Sequence, residues 1–224
     1  RLMNSRFGDE LIDHHTYVIA GDGCLMEGIS HEAISIAGHL KLSKLIVFFD
    51  DNSISIDGST NLSVSDNQLQ RFESCGWDVE SIDGHDPDAI SDSIAKAKKT
   101  KKPSMIACKT IIGMGAPNKQ GTAGTHGAPL GDDEIALARK KMEWPYESFE
   151  VPQNVRDLWL QAGSQNSDKR RAWDAKYRND ALKSELEEAI SGEVPNEVAR
   201  ILNIHKENLS REKPKIATRQ ASGA

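Results

Sequence analysis

Apolar and polar positions switch between two periods over residues 16–112. Thr16-Tyr17-Val18-Ile19-Ala20 and Leu45-Ile46-Val47-Phe48-Phe49 are short, almost continuous apolar runs, as in buried strands of a parallel sheet. Between them, residues 27–40 place Ile29, Ala33, Ile34, Ile36, Ala37 and Leu40 at helical spacing, which predicts a helix with one broad apolar face. Strand, helix and strand in this length make a βαβ unit with parallel strands. Residues 66–75 predict a second helix that ends at Gly76, and residues 78–82 a third strand. A further helix then starts with Asp86 as N-cap and Pro87 in its first position, with Ile90, Ile94 and Ala97 on one face. Its basic end (Lys96, Lys98, Lys99, Lys101 and Lys102) complements the helix dipole and reads as a solvated terminus. Residues 104–112 predict the fourth strand. The fold class that follows is α/β: a doubly wound, mostly parallel sheet flanked by helices. From Trp144 the pattern changes to charged, helix-forming segments such as 172–190, broken between Gly192 and Pro195, which predict a helical extension.

Each of the first two strands is followed by an acidic turn, Gly21-Asp22-Gly23 and Asp50-Asp51-Asn52. In a parallel sheet both turns lie at the carboxyl ends of strands, where open α/β sheets bind their ligands. The carboxylate of Asp22 and the side-chain carbonyl of Asn52 therefore converge on one hard cation. Mg²⁺ takes about six oxygen ligands and usually draws the remainder from water and phosphate. Gly21 and Gly23 let backbone amides approach closely, and the helix starting near Glu27 directs its positive end toward an anion. A metal-bridged diphosphate is the natural partner. Alone, a Gly-Asp-Gly triplet is a common turn; the second strand, the asparagine and the intervening helix give it the functional reading. Residues 113–131 hold six glycines, two prolines, Lys119 and His126 with no acid, a loop expected to be mobile when empty and suited to closing over an anion.

These residues carry a resemblance. Gly21-Asp22-Gly23 through Asn52 is similar to the diphosphate-binding motif of thiamine-diphosphate enzymes. Gly-Asp-Gly-Cys-Leu-Met-Glu-Gly-Ile-Ser-His-Glu over 21–32 and Asp-Asp-Asn-Ser-Ile-Ser-Ile-Asp-Gly over 50–58 resemble the transketolase family in particular. So do Lys109-Thr110-Ile111-Ile112-Gly113 and His126-Gly127-Ala128-Pro129-Leu130-Gly131. The resemblance is strongest over residues 13–145, thins in the C-terminal third and returns at Ala217-Thr218-Arg219.

The resemblance implies thiamine diphosphate and Mg²⁺ (or Ca²⁺) as cofactors, with sugar phosphates as substrates. By it, Asp22, Asn52 and the backbone carbonyl of Ile54 hold the cation, while Gly23, Asn52 and His126 contact the diphosphate. His126 also reaches the reacting oxygen of the substrate, and Arg219 grips the substrate phosphate. Glu27 and Glu32 fall at the interface of a homodimer and help connect its two active sites. The implied activity is reversible transfer of a two-carbon ketol unit from a ketose phosphate to an aldose phosphate, in the pentose phosphate pathway. The glutamate that activates the aminopyrimidine ring belongs by resemblance to a later module of the partner subunit, so this chain alone is expected not to turn over. One departure stands out: many family members carry a second histidine just upstream of His126, where this chain reads Thr122-Ala123-Gly124-Thr125. The alternatives are a related ketol-transfer enzyme (dihydroxyacetone synthase or deoxyxylulose-phosphate synthase) and a noncatalytic α/β binding module or split-enzyme subunit. The His-Gly-Ala-Pro-Leu-Gly string argues against deoxyxylulose-phosphate synthase.

Composition changes this picture little. A chain of 224 residues with net charge −6 offers no nucleic-acid surface. Cys24, Cys75 and Cys108 lack metal-ligand spacing and read as reduced thiols, no apolar run approaches bilayer length, and no signal peptide is expected. A cytoplasmic protein without nucleic-acid or membrane partners is expected. His31 reads as a packing or capping residue, and His14 and His15 receive no role. The chain opens at Arg1-Leu2-Met3 and closes inside what resembles a further domain, so it is expected to be an internal piece of a longer protein. The expected organisation is a diphosphate-binding module over 1–145, a helical extension over 146–213 and the start of a pyrimidine-binding module over 214–224.

Overall fold

The computed structural model describes residues 1–222; of the expected 214–224 segment, residues 223 and 224 lie outside the described residues. Helix α1 (Leu2–Leu11) precedes strand β1 (Thr16–Gly21), the short helix α2 (Asp22–Met26) and helix α3 (Gly28–His39). Strand β2 (Leu45–Asp51) and a small antiparallel pair, β3 (Ile54–Ser55) and β4 (Gly58–Ser59), follow. Then come α4 (Gln68–Ser74), β5 (Asp78–Asp83), α5 (Pro87–Ala97), β6 (Ser104–Lys109) and α6 (Asp132–Lys141). The remainder is helical: α7 (Gln153–Ser164), α8 (Ser167–Asn179), α9 (Lys183–Ser191), α10 (Asn196–Glu212) and α11 (Thr218–Ala221). The chain forms two compact units, one of Arg1–Leu2 with Ile12–Gln165, the other of Met3–Leu11 with the residues from Asn166 onward.

In the first unit the four long strands form one fully parallel sheet in the order β1-β2-β6-β5. Alternate residues serve its two faces. Val47, Phe49, Met105 and Ala107 pack with Ile34 and Ala37 of α3, Phe72 of α4 and Trp77. Ile46 and Ile106 point the other way, against Ala97 of α5. Helices thus cover both faces, as the α/β reading expects. Phe72 is 1% exposed, a burial that contributes about 1.5–3 kcal/mol. Trp77 meets it edge-on at 4.9 Å and donates its indole N–H to the carbonyl of Ile34 at 2.9 Å, so its own polar atom is satisfied inside this core. Close approach here needs a glycine: a Cβ on Gly38 would sit 1.8 Å from the carbonyl oxygen of Cys75.

Several expected boundaries move, for identifiable reasons. β1 is an edge strand, with Tyr17 and Val18 exposed and Ile19 82% exposed, so its apolar run is not the buried strand its composition predicts. An apolar run reports the taste of a strand for burial, not how many neighbours it has. The fourth strand stops at Lys109 because its partners β2 and β5 stop at Asp51 and Asp83, and Thr110–112 leave the sheet. Asp86 caps α5 as read, its carboxylate accepting from the N–H groups of Asp88 at 2.9 Å and Ala89 at 3.2 Å.

The second unit is helical. Phe7, Leu11 and Leu186 form its buried apolar points. Trp173 stacks on Tyr177 at 4.9 Å and donates its indole N–H to the carbonyl of Leu11 at 2.9 Å, tying α8 to α1. The continuous helix expected over 172–190 is split at Asp180, whose carboxylate accepts the N–H of Leu182 at 2.8 Å and starts the turn into α9.

Candidate functional site

Strand register decides which residues leave the sheet together. Gly21 pairs with Asp50, Asp50 with Cys108, and Cys108 with Ile82, so the four strands end in one row. Asp22, Asp51-Asn52, Lys109-Thr110 and Asp83-Gly84 follow at that carboxyl edge. A cavity of about 720 Å³ opens there, lined by Gly21, Asp22, Gly23, Glu27, Asp50, Asn52, Ile54, Ile112 and His126 among others. The structure therefore brings Asp22, Gly23, Asn52, Ile54, His126 and Glu27 to one cavity.

Asp22 is the first residue of α2, half-buried, and its Oδ2 is buried with no hydrogen-bond partner. Its pKa is pushed up to about 6, first by burial and then by the nearby Asp51 and Asp50 carboxylates; its own backbone N–H and the Lys109 ammonium pull the other way. An ionised carboxylate with an orphaned oxygen beside two more acids concentrates negative potential that a divalent cation would relieve. A Cβ added at Gly21 or Gly23 would meet nothing within 4 Å, so bare backbone faces open space beside this oxygen. These residues fit a cation with an anion bound to it. Among the described residues no group of three or more His, Cys, Asp and Glu side chains forms a metal cage. Any cation here would draw on Asn and backbone oxygens and on ligands from outside the chain.

Asn52 is held in an Asx turn. Its Nδ2 donates to Asp50 Oδ2 at 3.0 Å and its Oδ1 accepts the N–H of Ile54 at 2.9 Å, while Ser53 takes a left-handed φ of 62°. Thr110 Oγ1 donates in turn to Asp50 Oδ1. Asp51, one residue on and so on the other side of β2, pairs with Lys109. Sequence reasoning assigned no role to Asp50 or Thr110. A short acceptor two positions before an asparagine, at the end of a strand, was a usable signal for Asp50. Thr110 needed the strand register, which no single strand carries.

His126 closes a short 3₁₀ turn, Ala123–Thr125, with its N–H on the carbonyl of Ala123 at 2.9 Å and its side chain exposed on the cavity. The loop that carries it is tied at several points to the rest of the unit. Glu134 of α6, 6% exposed, accepts from the N–H of Asn118 at 2.7 Å, the N–H of Lys119 at 3.1 Å and Asn118 Nδ2 at 2.9 Å. These bonds hold its carboxyl below the usual glutamate range. Lys119 Nζ donates to the carbonyl of Leu130 at 2.7 Å and ties the two sides of the loop. Glu134 lies outside the glycine-rich window and was missed. His85, also unassigned, accepts the N–H of Ile111 on Nε2 at 2.9 Å and steadies the start of the same loop. Glu32 is exposed on α3, and Arg219 is exposed on α11 of the second unit. His31 lies against Arg71, which donates to the carbonyl of Leu25 at 2.9 Å.

The family model described as the transketolase thiamine diphosphate binding domain matches residues 2–195. The chain belongs to this family. It is similar to a transketolase of Sinorhizobium medicae, with 49% identity over 226 residues that cover 99% of this chain and 32% of the relative. The crystal structure of transketolase from Campylobacter jejuni superposes with a TM-score of 0.79 at 38% identity, over 85% of this chain and 30% of that one. Transketolase from Pichia stipitis in complex with sedoheptulose-7-phosphate matches with a TM-score of 0.75 at 40% identity, over 85% of this chain and 29% of that one. The chain thus spans about a third of the length of the transketolases it matches.

Proposed function

We propose that this chain is the diphosphate-binding part of a transketolase, which transfers a two-carbon ketol unit reversibly between a ketose phosphate and an aldose phosphate. The observation that carries this reading is the buried, unpartnered Oδ2 of Asp22 in the cavity shared with Asn52, Ile54 and His126. Asp22, Asn52 and the Ile54 carbonyl would hold Mg²⁺ or Ca²⁺. The N–H of Gly23, the side chain of Asn52 and His126 would hold the diphosphate. Thiamine diphosphate, when bound, supplies the carbanion chemistry for the carbon–carbon bond. His126 donates a hydrogen bond to the reacting oxygen of the substrate, a task an imidazole performs in either protonation state near neutrality. Arg219 suits a sugar phosphate through its fork of donors. Glu27 and Glu32 would lie at a homodimer interface. Those last assignments, with a cytoplasmic place in the pentose phosphate pathway, rest on the family alone. Among the described residues no helix is long and apolar enough to cross a membrane.

The test is Asp22→Ala in the full-length protein, read by titrating thiamine diphosphate in the presence of Mg²⁺. Loss of Mg²⁺-dependent cofactor binding is expected. Unchanged affinity would overturn the assignment.

A further inference from the structure

We propose that Asp50 and Thr110 are positioning residues for the cation site: Thr110 anchors the Asp50 carboxylate, and Asp50 fixes which end of the Asn52 amide is free to bind a metal. The inference rests on the reading of Asp22 and Asn52 as cation ligands.

Asp50 lines the cavity and by position alone passes for a second acidic ligand beside Asp22. Its hydrogen bonds give it another task. Oδ1 accepts from the hydroxyl of Thr110, and Oδ2 accepts from Asn52 Nδ2 at 3.0 Å. An asparagine side chain has two nearly isosteric ends, and its partners decide between them. With its nitrogen on the Asp50 carboxylate, the carbonyl oxygen of Asn52 lies on the side of Ile54, whose N–H it accepts at 2.9 Å. A flipped amide would set carbonyl oxygen against carboxylate and NH₂ against N–H, two repulsive contacts in place of two favourable ones. The oxygen keeps a second lone pair for a cation. Register supplies the anchor: Asp50 pairs with Cys108, and Thr110, two residues further on, reaches diagonally back to the Asp50 carboxylate, while its N–H reaches the carbonyl of Asp51 at 3.3 Å. Asp51 itself is drawn off by Lys109. Of the three acids, Asp22 alone keeps a buried oxygen without a partner.

Full-length protein carrying Asp50→Asn, Thr110→Val or Asp22→Ala would be titrated with Mg²⁺ at fixed thiamine diphosphate, following cofactor binding by protein fluorescence. Unfolding temperature in EDTA would be measured alongside. Asp50→Asn keeps the shape but leaves one acceptor oxygen for the two donors, Asn52 Nδ2 and the Thr110 hydroxyl. It should raise the Mg²⁺ requirement about ten- to hundredfold, as loss of a ligand's hydrogen-bond partner does, without lowering the unfolding temperature in EDTA. A merely structural role would do the reverse. Thr110→Val changes no charge and removes the anchoring donor; a smaller rise in the same direction separates orientation from simple charge attraction. It also carries the test if Asp50→Asn does not fold. If Asp22→Ala abolishes binding while the other two stay within about twofold of the parent, the positioning role is overturned and the cation reading stands. If Asp22→Ala has no effect, the cation reading falls and the positioning role falls with it.

Discussion

Asp22 and Glu134 are acids of the same compact unit with opposite surroundings. Glu134 is almost fully buried, and three N–H groups of Asn118 and Lys119 meet its carboxylate, which lowers its pKa. Asp22 has one oxygen buried with no partner and two like charges nearby, and its pKa rises to about 6. Scaffold acids in folded proteins find their donors within the chain. An acid left without one, at the carboxyl edge of a parallel sheet, marks the place where the chain relies on something it does not contain. Glu134 builds the loop that bears His126, whereas Asp22 is the acid that the proposed reading gives to a ligand.

The largest effect should come from breaking the satisfied acid. Glu134→Ala leaves the N–H groups of Asn118 and Lys119 and the Asn118 amide without their acceptor, in a site too closed for water to replace it fully. We expect the unfolding temperature to fall by several degrees and the segment around His126 to become open to proteolysis. Glu134→Gln keeps one acceptor oxygen and should fall between parent and Ala. The pH dependence has a definite sign. A glutamate with a lowered folded pKa stabilises above its ordinary value of 4.5, and that contribution is lost as pH falls through the folded value. A Glu134→Ala variant with parental thermal stability and protease resistance would remove the clamp from the account.

Much of this contrast was legible in the sequence, and the missing part has a physical cause. The βαβ spacing, the Asp86 cap with Pro87 and the acidic turns after β1 and β2 were readable because each depends on residues close together in the chain. Asp22, Asn52, Ile54 and His126 reach one cavity as their motifs imply. Glu134, Thr110 and His85 were invisible because each acts across a tertiary gap: Glu134 on Asn118, sixteen positions away, Thr110 on Asp50 at sixty, His85 on Ile111 at twenty-six. The exposure of β1 was missed for a related reason. Tyr17, Val18 and Ile19 have the composition of a central strand, and only the sheet order puts them at an edge.

A smaller effect should sharpen the other side of the comparison. Asp22 has a folded pKa near 6 against an ordinary 3.8, so its contribution to stability is fully present below 3.8 and is lost as pH rises through about 6. In cation-free buffer the parent chain should therefore weaken relative to Asp22→Asn as pH climbs from about 4 to about 6, with the gap steady above that range. Partial exposure of Asp22 screens the effect and keeps it modest. Saturating Mg²⁺ should close the gap, since a cation favours the ionised carboxylate and displaces its proton. Denaturant unfolding of the two proteins across that pH range, with EDTA or with Mg²⁺, measures both. Parallel stability curves in EDTA would mean that neither burial nor the neighbouring acids raise the Asp22 pKa, and the contrast with Glu134 would lose half its basis.

The smallest effect concerns Lys109, a cation placed to soften the acidic turn. It pairs with Asp51 and is among the influences that lower the Asp22 pKa, yet its side chain is 61% exposed, so solvent screens most of its reach. Lys109→Met leaves Asp51 uncompensated and removes that pull. The pH midpoint for Mg²⁺-dependent cofactor binding should then move upward slightly, and the shift should fade as salt is added, because exposed charges interact over a Debye length of only about 10 Å at 0.1 M. A downward shift, or one indifferent to salt, would mean that Lys109 acts by packing and not by charge. Asp22 would then owe its raised pKa to burial, the first of its causes, and the two neighbouring acids would count for less than their position suggests.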